Sequence, residues 1–534
     1  MLYFNIWFSK NKTGLAKERE CIKSMKKMVS MIRWNVILVL CIGVILMGAC
    51  ADDKQENKVE KSFSNADSNT CVSEQIVMSI WGQPFVFDTT ISAYDISCNK
   101  LTTEFPIDFV FDIPEEFSVT IDGIEVDNDV YQYQINNIGA IDSSIYIEFK
   151  SQERNIVVRL KTLPADYPEL STFGSGSKPG RYYFTAQGYL TKIDEKGNIV
   201  FYQKELLKGG LCTDIVDFKQ VITESGKKRF VFGRKSFDSN LATYQAYEWV
   251  IMDEQHNTVD TVKYMANSEN IDKKIMHDNH DFLLIDDGHY IEAAYVNERV
   301  YNIPNYVGEY PYGANVQAVV IQEIKNGEVI WTWNSTDYPE LYEMCIDDLT
   351  SDIDLYANFS DTWSDYAHLN SIVIDPKDGN LVCSFRHFNA VIEINRTTGN
   401  IEWVLGGNKD EFGLTENQKF SHQHSANYAE NGALLIFDNA NQMGYSRAIE
   451  LIIDEKDKTL ISYAEYMPEL QKSLWMGSAY KISDTPNVIL IGWGGRGGAE
   501  RNTLLFSEVN IDTGEVVFEA SCDVDNYRVY YFND

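Results

Sequence analysis

Through most of this chain apolar residues fall at every second position, in short runs broken by polar turns. From Asp365 to Gly407 the pattern is continuous and predicts four strands, His368 to Ile374, Asn380 to His387, Ala390 to Asn395 and Ile401 to Leu405. A period of two marks a strand with opposed faces. The turns Lys377-Asp378-Gly379 and Thr397-Thr398-Gly399 end on glycine, which supplies the positive φ of a tight hairpin. Four short antiparallel strands in about 40 residues have the dimensions of one propeller blade.

The unit recurs. Its other copies are Arg181 to Gln187 with Tyr189 to Tyr202, Arg229 to Lys235 with Tyr247 to Tyr264, and His289 to Val296 with Gln317 to Trp333. Gly432 to Asn439 with Arg447 to Tyr463, and Asn487 to Gly494 with Thr503 to Phe518, complete six. The second halves share one alternation around an acidic or amide turn: KIDEKGNIVF, QEIKNGEVIW, EINRTTGNIEW, EVNIDTGEVVF. Such a strand pair cannot bury both apolar faces alone, so copies are expected to stack on one another. The expected fold is all-β: a six-bladed β-propeller over residues 169–534, preceded at 72–168 by a small N-terminal β-sandwich. The earlier segment carries the strand patterns FPIDFVFDI, EFSVTIDGIEV, SIYIEFKS and NIVVRLKTL, with hairpin signals at Ile121-Asp122-Gly123 and Asp127-Asn128-Asp129. It has no histidine, so its assigned role is packing or homodimerisation rather than chemistry.

Residues 1–50 read as a signal segment. Lys23, Lys26, Lys27 and Arg33 precede an apolar run from Val36 to Met47, followed by Gly48-Ala49-Cys50. A cysteine after Gly-Ala resembles the lipobox of bacterial lipoproteins, which makes Cys50 the expected lipidation site. Residues 51–71 are polar and charged, a flexible tether. The expected location is extracytoplasmic and membrane-anchored, on the outer face of the cell membrane or in the periplasm.

Composition narrows the field further. At 534 residues the chain exceeds a single ordinary core, and its 31 Tyr, 27 Phe and 10 Trp suit strands. A net charge of −33 argues against nucleic acid or an anionic membrane surface as the main partner. Nine cysteines include no Cys-x-x-Cys, so structural zinc and dithiol redox chemistry have no support. Cys71 and Cys98 are a candidate disulfide, with free thiols as the alternative.

The chemistry points to histidine. Of eight, His280 and His424 each lie eight residues before the turn glycines Gly288 and Gly432, and His368 lies eleven before Gly379. Each therefore starts the first strand of its unit, in three successive units, and first strands line a propeller's channel. Arg386, on the second strand of the middle unit, is in reach of the same point. Three imidazoles suit zinc or copper. The guanidinium opposes a cation, however, and no carboxylate falls at an equivalent position to restore the balance. An anion rich in oxygens, a sulfuryl or phosphoryl group, fits better, with no metal and no cofactor. His422 is expected behind His424, His277, His289 and His387 in structural roles, and His256 in an exposed turn.

The motifs Asp365-x-x-His368-x-Asn370-Ser371, Ser384-x-Arg386-His387, Ile401-x-Trp403-x-Leu405-Gly406-Gly407, Gln423-His424-x-Ala426 and Phe437-Asp438-Asn439 occur in this order. Together they resemble the bacterial arylsulfate sulfotransferases, from about Ser73 onward. The resemblance implies that His424 is the nucleophile, that His280, His368 and Arg386 hold the sulfuryl oxygens, and that Asn370 contacts substrate. It implies aryl sulfate donors and phenolic acceptors, a sulfohistidine intermediate and ping-pong turnover without nucleotide sulfate. Gly174 to Gly180 lacks P-loop spacing, and Gly494 to Gly498 reads as a loop that brings Arg496 toward the channel. One departure stands out. Some members carry a cysteine pair just before the nucleophile, whereas Lys409 to Gln423 has none, so this loop must be held otherwise. The competing readings are a non-catalytic surface propeller lipoprotein that binds glycans or proteins, which needs no channel histidines, and a metal-dependent hydrolase.

Overall fold

The computed structural model describes residues 75–533, apart from 128, 140–142, 207–213, 237–245, 267–274, 347–355, 357–362, 441–443, 469–470, 485, 496–503 and 523. The described residues belong to one compact unit, Ser73–Asp534, and form strands with only short 3-10 turns between them. The signal segment, Cys50, the tether, Cys71, Cys212 and Arg496 lie outside the described residues. Cys98 is a buried free thiol, pushed up to about 12 by its burial.

The strands among the described residues group into eight sheets. The first two lie between Gln75 and Lys161. One orders Gln83–Asp88, Gln75–Ile80, Ile107–Asp112 and Val130–Tyr133. The other orders Ala93–Ser97, Asn155–Lys161, Ser144–Lys150, Ser118–Ile121 and Ile124–Val126. Their alternation is that of sheets with one wet face: Ile145, Ile147 and Phe149 are buried while Tyr146 between them is exposed. Both sheets bury one shared core, with Ile76, Met78 and Phe109 from the first and Ile147, Phe149 and Val158 from the second. This core takes in Tyr189 and Tyr202 of the following sheet, and Lys100–Thr102 pairs antiparallel with that sheet's Ile199–Lys204.

Six further sheets follow, each of four antiparallel strands, two of them with one added strand. The first strands of sheets two to six are Ile215–Ile222, Leu283–Asp286, Leu369–Ile374, His424–Tyr428 and Ser478–Asp484. The first strand of sheet one comes from the other end of the chain: Tyr530–Phe532 pairs with Arg181–Ala186. Leu170–Gly174 in turn forms the outer strand of sheet six, against Glu515–Cys522. Both ends of this region are thus stitched into their neighbours, which leaves fewer free strand edges.

Each sheet shares a core with the next. Phe201 meets Phe218 and Phe230, Trp249 meets Phe282, and Tyr295 and Trp333 pack with Leu369 and Phe385. Trp403 and Leu405 pack with Leu434, Phe437 with Ile489, and Leu490 and Phe506 with Tyr182 and Phe184 of sheet one. The sequence divides these contacts by parity. On Ala390–Ile394, Ile392 and Ile394 enter the core with sheet three, while Val391 enters the core with sheet five. A strand between two neighbours is covered on both faces, which is why all five residues, Glu393 included, are buried. Filling one such position with a leucine or isoleucine is worth about 1.5–3 kcal/mol. The six first strands surround a cavity of about 500 Å³, lined by Lys219, Asp281, Ile372, Ser425, Tyr480 and Tyr530 among others.

Candidate active site

His280, His368 and His424 meet at one end of the first strands. The lining of the cavity begins just past each of them, at Asp281, Ser371 and Ser425. The His280 ring lies 5.0 Å from that of His368 and 6.4 Å from that of His424. His424 opens its strand, His368 directly precedes Leu369–Ile374, and His280 stands just ahead of Leu283–Asp286. Arg386 is buried in a 3-10 turn after Leu381–Phe385, its amide donating to the His368 carbonyl at 2.9 Å. Its charge is felt at His424.

The backbone here is unusual. His368, His422, Ser425 and Met476 have φ of 54°, 55°, 55° and 64°. Non-glycine residues in this region cost about 1–3 kcal/mol each and persist only where surrounding packing fixes them. Gly477 follows Met476 with φ of 102°, and a Cβ there would stand 2.3 Å from Phe437 Cε1. Phe437 pairs with His424 across sheet five. Glycine therefore lets the Met476 amide come down onto the histidine.

Both nitrogens of His424 are assigned by their partners. Nδ1 lies 2.7 Å from Asn439 Oδ1 and 3.1 Å from the His422 carbonyl, and the Met476 N–H donates to Nε2 at 3.2 Å. Two acceptors at Nδ1 place the proton there, and a donor at Nε2 requires its lone pair. Burial, then the charges of Arg386 and His280, hold the ring well below the usual histidine range, so it is neutral at pH 7. A buried, neutral imidazole with its lone pair on Nε2 is a nucleophile.

The neighbouring rings have different partners. His280 Nδ1 lies 2.7 Å from Asp278 Oδ2, and His368 Nδ1 lies 2.5 Å from Asp365 Oδ2. Carboxylates do stand at the site, contrary to the sequence expectation. They precede the histidines by two and three residues in the approach to each strand, where strand register gives no position to compare. Facing a carboxylate, Nδ1 carries the proton and orients the ring. His387, assigned a structural role from sequence, packs 4.5 Å from His368 with Nδ1 at 2.5 Å from the Asp365 carbonyl. The ligand atoms of Asp365, His368 and His387 lie within 4.8 Å of one another, close enough for a cation. These hydrogen bonds and the nearby Arg386 weigh against one.

Asn370 is fully buried. Its Nδ2 donates to the Gln423 carbonyl at 2.6 Å, leaving Oδ1 without a hydrogen-bond partner. Gln423 donates to Ser384 Oγ and to the Phe385 and Ala390 carbonyls, so the residue before His424 is clamped to sheet four. Beyond this lies a charged layer. Lys219 bridges Asp217 and Asp281 at 2.7 and 2.8 Å, and Arg528 reaches Asp217 at 2.9 Å and the Asn370 carbonyl at 2.6 Å. Tyr527 donates to the His280 carbonyl at 3.1 Å.

The loop from Lys409 to Gln423 is held without cysteine. Asp410 accepts from the Gly406 amide at 2.9 Å and the Leu414 amide at 2.7 Å, while Phe412, Leu414 and Phe420 enter the core between sheets four and five. Arg447 donates to the Asn417 and Lys419 carbonyls and pairs with buried Asp438 at 2.8 Å. Asp438 also takes the Ser421 amide at 2.9 Å, and Asn389 takes the His422 amide at 2.8 Å.

The remaining histidines sit elsewhere. His277 pairs with Glu292 at 2.8 Å and His289 with Glu323 at 2.7 Å, both buried. His422 is buried, two residues ahead of His424. His256 is not exposed: it is 2% accessible and stacked 4.1 Å from Phe201 and 4.3 Å from Phe230. The turn folds back onto the aromatic core, which no local pattern announces. Asn439, Asp278, Asp365 and the Met476 amide are contacts of these rings that the sequence did not single out. The Asp365 and Asn439 motifs contained the signal, without showing which ring each would face.

The arylsulfotransferase (ASST) family model matches residues 180–532. Over 140 residues the chain is 32% identical to an arylsulfate sulfotransferase, AssT, of Escherichia coli O6:H1, a match spanning 20% of this chain and 23% of that protein. It is 29% identical over 140 residues to AssT of Lelliottia amnigena, with the same spans. These matches therefore span about a quarter of the length of the curated relatives. Among solved structures, a protein of unknown function from Bacteroides caccae aligns at TM-score 0.38 and 11% identity, over 67% of this chain and 100% of its own. The Dos1 propeller aligns at TM-score 0.31 and 10% identity, over 75% and 88%.

Proposed function

This chain belongs to the arylsulfotransferase family, and from that premise we propose that it moves a sulfuryl group from an aryl sulfate to a phenolic acceptor through a sulfohistidine at His424. The observation that carries the reading is the single tautomer of a buried, neutral His424, with its Nε2 lone pair beside two further imidazoles.

In the first half-reaction the Nε2 lone pair attacks sulfur in line. The N–S bond forms, the S–O(aryl) bond breaks, and the phenolate leaves with the electron pair. A phenolate is a good leaving group, so one proton from His280, steadied by Asp278, is sufficient acid catalysis. Arg386 presents planar donors to the sulfuryl oxygens with His280 and His368 beside it, and Asn370 is a lesser contact. Once the lone pair is used in the N–S bond, the Met476 N–H is left next to those oxygens. In the second half an acceptor phenol gives its proton to His280 and attacks sulfur, the N–S bond breaks, and Nε2 regains its lone pair. Two half-reactions at one histidine give ping-pong kinetics.

The six sheets are read as the blades of a propeller over 169–534, and the two preceding sheets as a β-sandwich over 72–168. Six shared cores that close on themselves, and one shared core under the first two sheets, support this. The first 50 residues are proposed as a signal ending at a lipidated Cys50 and residues 51–71 as a tether, which puts the enzyme on an extracytoplasmic membrane face. The N-terminal sheets are its proposed dimer surface. The test is His424→Ala assayed with p-nitrophenyl sulfate and phenol. Turnover should vanish in a folded protein, and a variant that keeps full activity ends this reading.

A further inference from the structure

The same strands that begin at His368 and His424 lead, at their other ends, to a second cluster. Asp375 follows Leu369–Ile374, Glu393 lies on the third strand of sheet four, and Glu455 lies in the turn after Arg447–Asp454 of sheet five. Glu393 shares strand parity with Val391, so it faces sheet five. One oxygen from each of the three carboxylates lies within 4.8 Å of the others.

Three acidic groups together are common and prove little. Here two of them are almost sealed off, with Asp375 1% and Glu393 3% accessible; Asp375 Oδ2 and Glu393 Oε1 make no hydrogen bond of ordinary geometry, and the Tyr428 phenol stands beside Asp375 and Glu455. A buried carboxylate oxygen with nothing to accept from is costly unless something supplies the missing charge. Lys377 contacts Glu455 through its ammonium, its charge also reaching Asp375 and Glu393, and its backbone amide donates to Asp375 Oδ1 at 2.6 Å. Three carboxylates against one ammonium leave two negative charges.

We propose that Asp375, Glu393 and Glu455 hold a calcium ion that clamps sheet four to sheet five. The donors are all oxygen, which selects a hard cation over zinc or copper. With Ca–O bonds of about 2.4 Å, opposed ligands stand about 4.8 Å apart, and water completes the shell from the half-buried Glu455 side. A flexible, carboxylate-rich site of this kind favours calcium over magnesium, which demands closer and more regular ligands. The site is independent of the sulfuryl-transfer reading, since it uses none of that reading's residues.

The experiment uses the full chain stripped of metal with chelator. Titration calorimetry with calcium chloride should give one site with Kd below about 10⁻³ M. About 10 mM calcium should raise Tm by about 2 °C, with a smaller rise for magnesium. Glu393→Gln and Glu455→Gln should lose both signals. Glu455, in a surface turn, keeps the test valid if the buried substitution fails to fold. Calcium that does not bind, or binds Glu455→Gln as well as the wild type, overturns the proposal. So does a Glu393→Gln protein that reaches the calcium-loaded Tm in chelator, because a proton would then be the cluster's occupant.

Discussion

Burial strips His424 of the water that would solvate an imidazolium, and the charges of Arg386 and His280 push in the same direction. Its neutral, nucleophilic form should therefore persist below pH 6.5, and no loss of kcat/KM between pH 8 and 6 should trace to this ring. Asn439 acts through it, accepting from Nδ1. Asn439→Leu should lower kcat about 10–100-fold, as orienting partners of a functional histidine do, with a smaller change in KM. The same physics sets a cost in stability. His256 is held far below the usual histidine range by its burial and then by Lys192 and Lys100. The unfolded chain takes up a proton there below about pH 6.5 and the folded one does not, so stability falls as pH drops through that value. Each such ring contributes at most about 1.4 kcal/mol per pH unit. His256→Leu should therefore lose about 1–2 kcal/mol less than the wild type between pH 7 and 5, read from denaturant curves.

One strand and the loop before it decide whether His424 is in place. Arg447 and Asp438 form a buried pair that also bonds the backbone of that loop, while Arg447 reaches Glu465 at 2.6 Å. Arg447→Met strands the Asp438 carboxylate, so it should cost about 3–5 kcal/mol and reduce turnover along with stability. Strand positions were legible in the sequence because alternation and turn glycines are local. The predicted strands of residues 365–407 and the structure's Leu369–Ile374, Leu381–Phe385, Ala390–Ile394 and Ile401–Gly406 differ only at their ends. The histidine spacing was legible for the same reason, since a repeated register puts like residues in like places. Which acceptor faces each imidazole was not. Asp278, Asp365 and Asn439 are chosen by how approach segments and strand ends fold, and the Met476 amide depends on positive φ at two successive residues.

For the molecule as a whole, the sequence announced repeating units but not how they close. Tyr530–Phe532 supplies the first strand of sheet one, Leu170–Gly174 the outer strand of sheet six, and Lys100–Thr102 an added edge on sheet one. These pairings join residues hundreds of positions apart or short segments without a pattern of their own. Closure makes a direct prediction. Truncation before Tyr530 removes a strand that lines the cavity and packs between sheets two and six, and it opens apolar surface around Phe218 and Phe230. The truncated chain should lose its cooperative thermal transition and aggregate, as calorimetry and light scattering would show.

The central claim is a covalent one, and mass spectrometry reads it without kinetic inference. Purified protein mixed with excess p-nitrophenyl sulfate and no phenol, then quenched and digested, should gain one SO₃ on the peptide containing His424 and lose it when phenol is added. A protein that turns over with that peptide unmodified, or that carries the group on another residue, would contradict the account.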